Sequence, residues 1–302
     1  MKRLRDERGQ ALILTVAFLT VLIGMAAAVL DLGAWYRQHR QLQLTADAAA
    51  LAGAQKLPSD QSDAVALAVE YGQKNGGGIA SGDVVITGTR DPGDTISVSA
   101  KKPTPGIFTR LFGIDSVNIK ATAAARAGIP GKARWAAPIA VDERHPLLSG
   151  TGCPCFGQPT TLDLLKIGPG AFRLVNIDGS HGGTGPSTVA DWILRGYEGY
   201  MPLDWYFSDS GAKFNSSQIK SAMNARIGEE LLFPVYRETR GQGSNFEYLV
   251  IGWVGFQLSG FNAQGNGGEV YGSFVRVIWE GIQSETADED NDFGTRTVQL
   301  VQ

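Results

Sequence analysis

The order of apolar and polar positions divides the chain into a long helical run, a short mixed stretch and a strand-rich remainder. From Ala11 to Leu30 the sequence ALILTVAFLTVLIGMAAAVL holds twenty consecutive residues without a charge. At ~1.5 Å per residue it covers ~30 Å, the thickness of a bilayer's hydrocarbon core, and in lipid a helix satisfies such a backbone. After Asp31, apolar or small residues recur at Leu32, Trp35, Tyr36, Leu42, Ala46, Ala49, Ala50, Gly53 and Leu57, with no proline before Pro58. This spacing marks one face of a helix and predicts a rod of roughly 70 Å from Ala11 to Leu57. Trp35 and Tyr36 fall where aromatic rings favour the headgroup interface. Pro58 and Ser59 close the rod. Asp60 then reads as the N-cap of a second helix reaching Gln73, with Ala64, Leu67, Ala68 and Tyr71 on one stripe and Asn75-Gly76-Gly77-Gly78 at its end.

Strand patterns follow at Asp83–Thr89, Thr95–Ala100 and Ser116–Arg126, broken by Asp91-Pro92-Gly93-Asp94 and by Pro103 and Pro105. Alternation is nearly clean from Val117 to Thr122, so one face of that strand is wet. Gly128-Ile129-Pro130-Gly131 reads as a linker, and tryptophan and tyrosine become dense beyond it. One short helix is expected from Thr188, with Asp191 completing a capping box and Val189, Trp192 and Ile193 buried. A second is expected from Ser217 to Ile227, with Ile219, Ala222, Met223 and Ile227 on one face. Strands are expected at Leu231–Tyr236, Phe246–Leu258 and Glu269–Gly281, with Asn262–Gly268 as a turn, and at Thr295–Val301. In Val250-Ile251-Gly252-Trp253-Val254 both alternating sets are apolar, which marks a strand covered on both sides. The fold class expected is α+β: an N-terminal transmembrane helix continuing into a long helix on a small antiparallel sheet, then a β-rich domain, an antiparallel sandwich or open barrel, with two short helices. The divisions are residues 1–10, a span at 11–30, an α+β region at 31–127, a linker at 128–131 and an extracytoplasmic domain at 132–302.

Charge bears on where the apolar run sits. Lys2, Arg3, Arg5 and Arg8 precede it and outnumber Asp6 and Glu7, which favours a cytoplasmic N-terminus and an extracytoplasmic remainder. Arg37 and Arg40 on the far side weaken the asymmetry. Two readings compete with a retained anchor: a signal peptide cut near Ala28, where Ala26-Ala27-Ala28 offers small residues, and a buried core helix. The whole chain has 27 basic and 30 acidic residues, a net of -3, which excludes a bulk electrostatic grip on nucleic acid. Its 39 glycines are nearly twice the usual share of ~7% and suit a loop-rich, β-leaning fold.

The N-terminal residues also carry a resemblance. Arg8-Gly9-Gln10-Ala11-Leu12, the apolar span, Asp31-Leu32-Gly33 with Tyr36, Gln41-Leu42-Gln43 and Ala46-Asp47-Ala48-Ala49-Ala50-Leu51-Ala52-Gly53-Ala54 resemble the N-terminal module of TadE/TadG-like Flp pilus-assembly proteins of the bacterial tight-adherence system, over about residues 8–54. Thr109-Arg110-Leu111-Phe112-Gly113-Ile114 is similar to a segment of the same family. Gly168 to Phe172, Asp178-Gly179, Asn224 to Ile227 and Pro234-Val235 are laid out as in regions found beside that module. The resemblance implies a single-span inner-membrane protein or minor pilin-like component without enzymatic activity. Its partners would be the lipid bilayer and other Tad pilus-assembly proteins or pilin subunits. Pilin-type precursors carry a glutamate five residues after the cleaved glycine. Leu14 holds that place here, which favours a membrane-retained accessory protein over a bulk filament subunit.

The remaining candidates for chemistry are few. Cys153-Pro154-Cys155 allows a strained local disulfide, intermolecular bonds or free thiols, and lacks the spacing of a redox-catalytic pair. Asp288-Glu289-Asp290-Asn291-Asp292 misses the glycine and glutamate of a calcium loop, because Phe293 and Gln299 stand at those places. It reads as an acidic turn. Asp178-Gly179-Ser180-His181-Gly182-Gly183 has hydrolytic residue types without a nucleophile elbow. His39 and His145 read as surface residues. No residue is nominated as catalytic, cofactor-binding or metal-ligating, and no cofactor, small-molecule substrate or nucleic-acid partner is expected. The function expected is anchoring or an accessory role in pilus biogenesis and adhesion. The alternative is a secreted or surface β-domain that binds glycans or other ligands after cleavage near Ala28.

Overall fold

The computed structural model describes residues 8–164, 173–209, 211–264, 267–284 and 291–301. The chain forms two compact units: residues 1–126 with the terminal 299–302, and residues 127–298.

Unit 1 is built on α1 (Arg8–Ala54), a single helix of 47 residues. After a turn, α2 (Gln61–Lys74) opens with the Asp60 side chain accepting the Asp63 N–H, the N-cap read from the sequence. Three antiparallel strands follow: β1 (Val84–Thr87), β2 (Thr95–Pro105) and β3 (Ser116–Gly128). β2 is five residues longer than expected. β1 covers only Thr95 to Val98, so Pro103 and Pro105 lie where β2 has a single strand neighbour and a missing N–H is tolerated. Ile96, Val98 and Ala100 of β2 alternate inward and pack under α1, where Leu42, Ala46, Ala49 and Ala50 are buried.

Small residues make this packing close. A Cβ on Gly53 would stand 2.6 Å from Ile96 Cδ1 and 2.8 Å from the Ala64 carbonyl. The Ala/Gly block of α1 is therefore spent on its own unit. The turn from β1 to β2 is organised by buried Asp94, whose carboxylate accepts the N–H groups of Thr89 (2.8 Å), Arg90 (3.1 Å) and Asp91 (3.2 Å) and the Thr95 hydroxyl (2.7 Å). Burial alone would raise this carboxyl, but the donors outweigh it and hold it below the ordinary carboxylate range.

Unit 2 contains β4 (Pro130–Ala133), β5 (Val141–Asp142), α3 (Pro146–Ser149), β6 (Pro159–Asp163), β7 (Leu174–Val175), α4 (Pro186–Arg195), β8 (Met201–Pro202), β9 (Trp205–Asp209) and α5 (Ser217–Ala225). It continues with β10 (Glu230–Arg240), β11 (Glu247–Gln264), β12 (Gly267–Val275), β13 (Val277–Ile278), β14 (Gly281–Gln283) and the first four residues of β15 (Thr295–Val301), whose last three belong to unit 1. The main sheet runs β5-β10-β11-β12-β6, with β9 also on β11 and β7 on β9, and a small sheet runs β14-β4-β8. β5 pairs with β10 in parallel, an arrangement that the antiparallel expectation did not include.

β11 is covered on both faces, as its double apolar pattern predicts. A register shift against β10 between Val235 and Tyr236 leaves Ile251 without a partner and changes which residues face each side. Tyr248, Val250 and Trp253 join a core with Tyr206 and Tyr236 and with Ala133 and Met201 of the small sheet. Val254, Phe256 and Leu258 join another with Val189 and Ile193 of α4 and Ile219 and Met223 of α5. The main sheet is thus covered by helices on one face and short strands on the other.

Several local expectations are corrected. α4 begins at Pro186 with Gly185 as N-cap and no side-chain cap, so Thr188 and Asp191 form no capping box. Proline at the first turn has a preset φ and no N–H to satisfy. α5 is capped by Ser216 and ends at Ala225, leaving Ile227 exposed. The run Glu269–Gly281 breaks into three strands, because the chain changes partners from β11 to β15 to β4. The segment 128–131 lies largely in strand, since β3 ends at Gly128 and β4 begins at Pro130. The expected turn at Asn262–Gly268 is strand up to the pair Gln264↔Gly267, and its tip, residues 265–266, lies outside the described residues.

Candidate functional site

The feature that sets unit 1 apart is the first half of α1. From residue 11 to residue 30 every position except Ala27 is exposed, and the large apolar side chains are exposed by 44% to 70%. This is not the surface of a core helix, whose apolar stripe would be covered. By length and composition the helix can cross a membrane.

At the end of that segment stands Asp31, only 1% exposed. Its carboxylate accepts three backbone N–H groups from the β2–β3 loop: Ile107 at 2.7 Å, Phe108 at 3.0 Å and Thr109 at 2.9 Å. Three converging amides make a backbone cradle for an anion, and charge-assisted bonds of this kind are the stronger ones. The cradle closes because residue 106 is glycine. A Cβ there would come 1.7 Å from Thr109 Oγ1 and 3.2 Å from Asp31 Oδ2. Asp31 therefore clasps the head to the helix where the apolar run ends. The sequence marks Asp31-Leu32-Gly33 as a motif, but the cradle lies 76 to 78 residues away in the chain, and no local pattern points to it.

Beyond Asp31 the helix is tied down by polar side chains. His39 Nδ1 lies 3.1 Å from the Lys120 carbonyl, Gln43 Nε2 donates to the Thr122 carbonyl at 3.1 Å, and buried Thr45 donates to the Asn75 carbonyl at 2.6 Å. His39 is exposed, as expected. Leu32 and Tyr36, assigned to the buried face by spacing, are 61% and 64% exposed. The covered face at this level runs through Asp31, and only from Leu42 onward do the apolar positions bury fully.

Among the described residues of unit 2 the polar groups singled out above do not assemble into a reaction centre. Ser180 donates to Asp178 Oδ1 at 2.7 Å, while His181 turns to Asn245 Oδ1 at 2.7 Å and packs edge-on against Phe207. Cys153 and Cys155 form a disulfide with Cα atoms 4.5 Å apart. The local bond is thus the one formed of the three arrangements open from the sequence, and the intervening Cys153–Pro154 peptide is cis.

His145 is half-buried and not a plain surface residue. It lies edge-on to Phe274 and 3.2 Å from the Thr160 hydroxyl, and its Nδ1 accepts the Leu147 N–H. Burial, together with the nearby Arg173 charge, lowers its pKa. Beside it, burial would raise the Asp142 carboxyl, but the Arg144 guanidinium and the Tyr236 hydroxyl hold it low, while burial pushes Tyr236 up to about 12. These groups satisfy one another around a cavity of about 210 Å³. In the acidic turn, Asp292 pairs with Arg296 and accepts the Gly294 N–H, while Asp288, Glu289 and Asp290 lie outside the described residues, as do Gly168 to Phe172. Among the described residues no group of three or more His, Cys, Asp or Glu is placed to hold a metal ion.

A helix long and apolar enough to cross a membrane, clasped to an α+β head, defines the class of protein that the geometry describes. The family described as "Putative Flp pilus-assembly TadE/G-like" matches residues 9–56, the span and the packed half of α1. The N-terminal module is thus similar to that family, in agreement with the motifs quoted above. No curated protein and no solved structure matches the chain.

Proposed function

We propose that the protein is a non-enzymatic, single-span membrane protein of the Flp/Tad pilus-assembly type, with an anchoring or accessory, minor pilin-like role in pilus biogenesis and adhesion. It resides in the bacterial inner membrane with residues 1–10 cytoplasmic and residues 31–302 extracytoplasmic. Its partners are other pilus-assembly proteins or pilin subunits. The observation that carries this reading is the exposed, uncharged segment 11–30 inside a module that the TadE/G-like family matches. The mechanism is placement: the helix holds the protein in lipid, the Asp31 clasp seats the head at the exit point, and unit 2 presents a folded surface.

Carbonate extraction, N-terminal sequencing and protease treatment of intact spheroplasts test it together. Full-length protein in the carbonate-resistant pellet, with residues 31–302 digested from outside, is the expected result. A soluble species beginning at Val29 would overturn the anchor, and protection of the bulk of the chain would overturn the orientation.

A further inference from the structure

We propose that the loop from Gly106 to Ile114 is a second membrane-contact element, seated in the headgroup interface of the leaflet from which α1 emerges. The inference rests on reading Ala11–Leu30 as a membrane span. Three observations carry it. The first is depth. Asp31 follows the last residue of the uncharged run, and its carboxylate holds the amides of Ile107, Phe108 and Thr109. Side chains on a helix lean toward its N-terminus, so the cradle lies at or below the level of Asp31, on the membrane side.

The second is burial. Ala27, one turn before Asp31 on the same face, is 7% exposed while its neighbours in the span stay open. Burial of the helix therefore reaches about 4.5 Å inside the apolar run. The third is surface chemistry. Ile107 is 68% exposed and Ile114 is 48% exposed, and the loop's one charge, Arg110, is also exposed. Exposed isoleucines beside an arginine, pinned at the point of membrane exit, suit the boundary between acyl chains and lipid phosphates.

Site-directed nitroxide labelling tests this with the full chain in vesicles of phosphatidylethanolamine and phosphatidylglycerol. The native cysteines are held in their disulfide. Labels go one at a time at I107C, I114C, V21C in mid-span and V85C on the head. Val85 pairs with Ser97, eight residues along β2 from Pro105, or about 26 Å at strand spacing. Labels at 107 and 114 should show a ratio of oxygen to aqueous nickel-chelate collisions above that of the label at 85 and below that of the mid-span label at 21. Water-like behaviour at 107 and 114 with lipid-like behaviour at 21 would overturn the loop inference and leave the span intact. Water-like behaviour at 21 would overturn both.

Discussion

Replacing Val21 with arginine and Leu22 with aspartate puts two charges in the middle of the span. Twelve large apolar side chains between Leu12 and Leu30 are exposed on α1 and so free to meet lipid. At about 0.3 to 0.6 kcal/mol each they favour insertion by roughly 4 to 7 kcal/mol, an upper bound because the scale applies to the helix centre. The double variant removes about 1 kcal/mol of that gain and adds about 5 to 7 kcal/mol for two mid-span charges. About 3 to 6 kcal/mol of gain then stands against about 5 to 7 kcal/mol of cost, so insertion of V21R/L22D falls from strongly favourable to balanced or unfavourable. The assay is the share of protein in the carbonate-resistant membrane pellet, compared with wild type and with a control exchange at exposed Val85. The wild type and the control should pellet, while the double variant should be degraded or recovered in the soluble fraction. Equal membrane recovery of the double variant would show that this segment does not carry the protein into the bilayer.

Other perturbations separate the clasp, the head and unit 2. Asp31→Ala should free the amides of Ile107, Phe108 and Thr109, seen as faster hydrogen exchange there with the β1–β2 pairing still protected; unchanged protection would mean the carboxylate does not hold the loop. Phe256→Ala should cost about 3 to 5 kcal/mol, since the ring is fully buried against Phe233 and Phe274. Five of the six tryptophans lie in unit 2, so fluorescence-monitored denaturation reads that loss, and an unmoved midpoint would contradict the packing. Asp94 has a folded-state pKa below the ordinary carboxylate value, so its stabilisation is fully present above pH ~4 and is lost as pH falls through the lower folded-state value. Amide shifts of Thr89, Arg90 and Asp91 should follow that titration in wild type and stay flat in Asp94→Asn. Titration at or above pH ~4 would refute the cradle.

How far the sequence could be read depended on the range of each interaction. The rod, the Asp60 cap and the doubly covered strand around Trp253 rest on local periodicity or a side chain three residues from its donor, and these were legible. Asp31 was legible as a motif but not as a clasp, because its donors come from a loop more than seventy residues away. Leu32 and Tyr36 fit the helical spacing, yet spacing cannot say which arc a distant loop will cover. The strand run ending at Gly281 looked continuous because its β-propensity is continuous, whereas the three partners that divide it are set by tertiary contacts. His145 looked like a surface residue because charged neighbours precede it, but Phe274, far along the chain, covers it.

No hinge separates the exposed apolar turns of α1 from the turns that floor the head, since one unbroken helix supplies both. A force drawn on the head is consequently delivered as axial load and torque to the exposed apolar segment. Neither part can spin without the other, as a key cut from the same bar as its shaft.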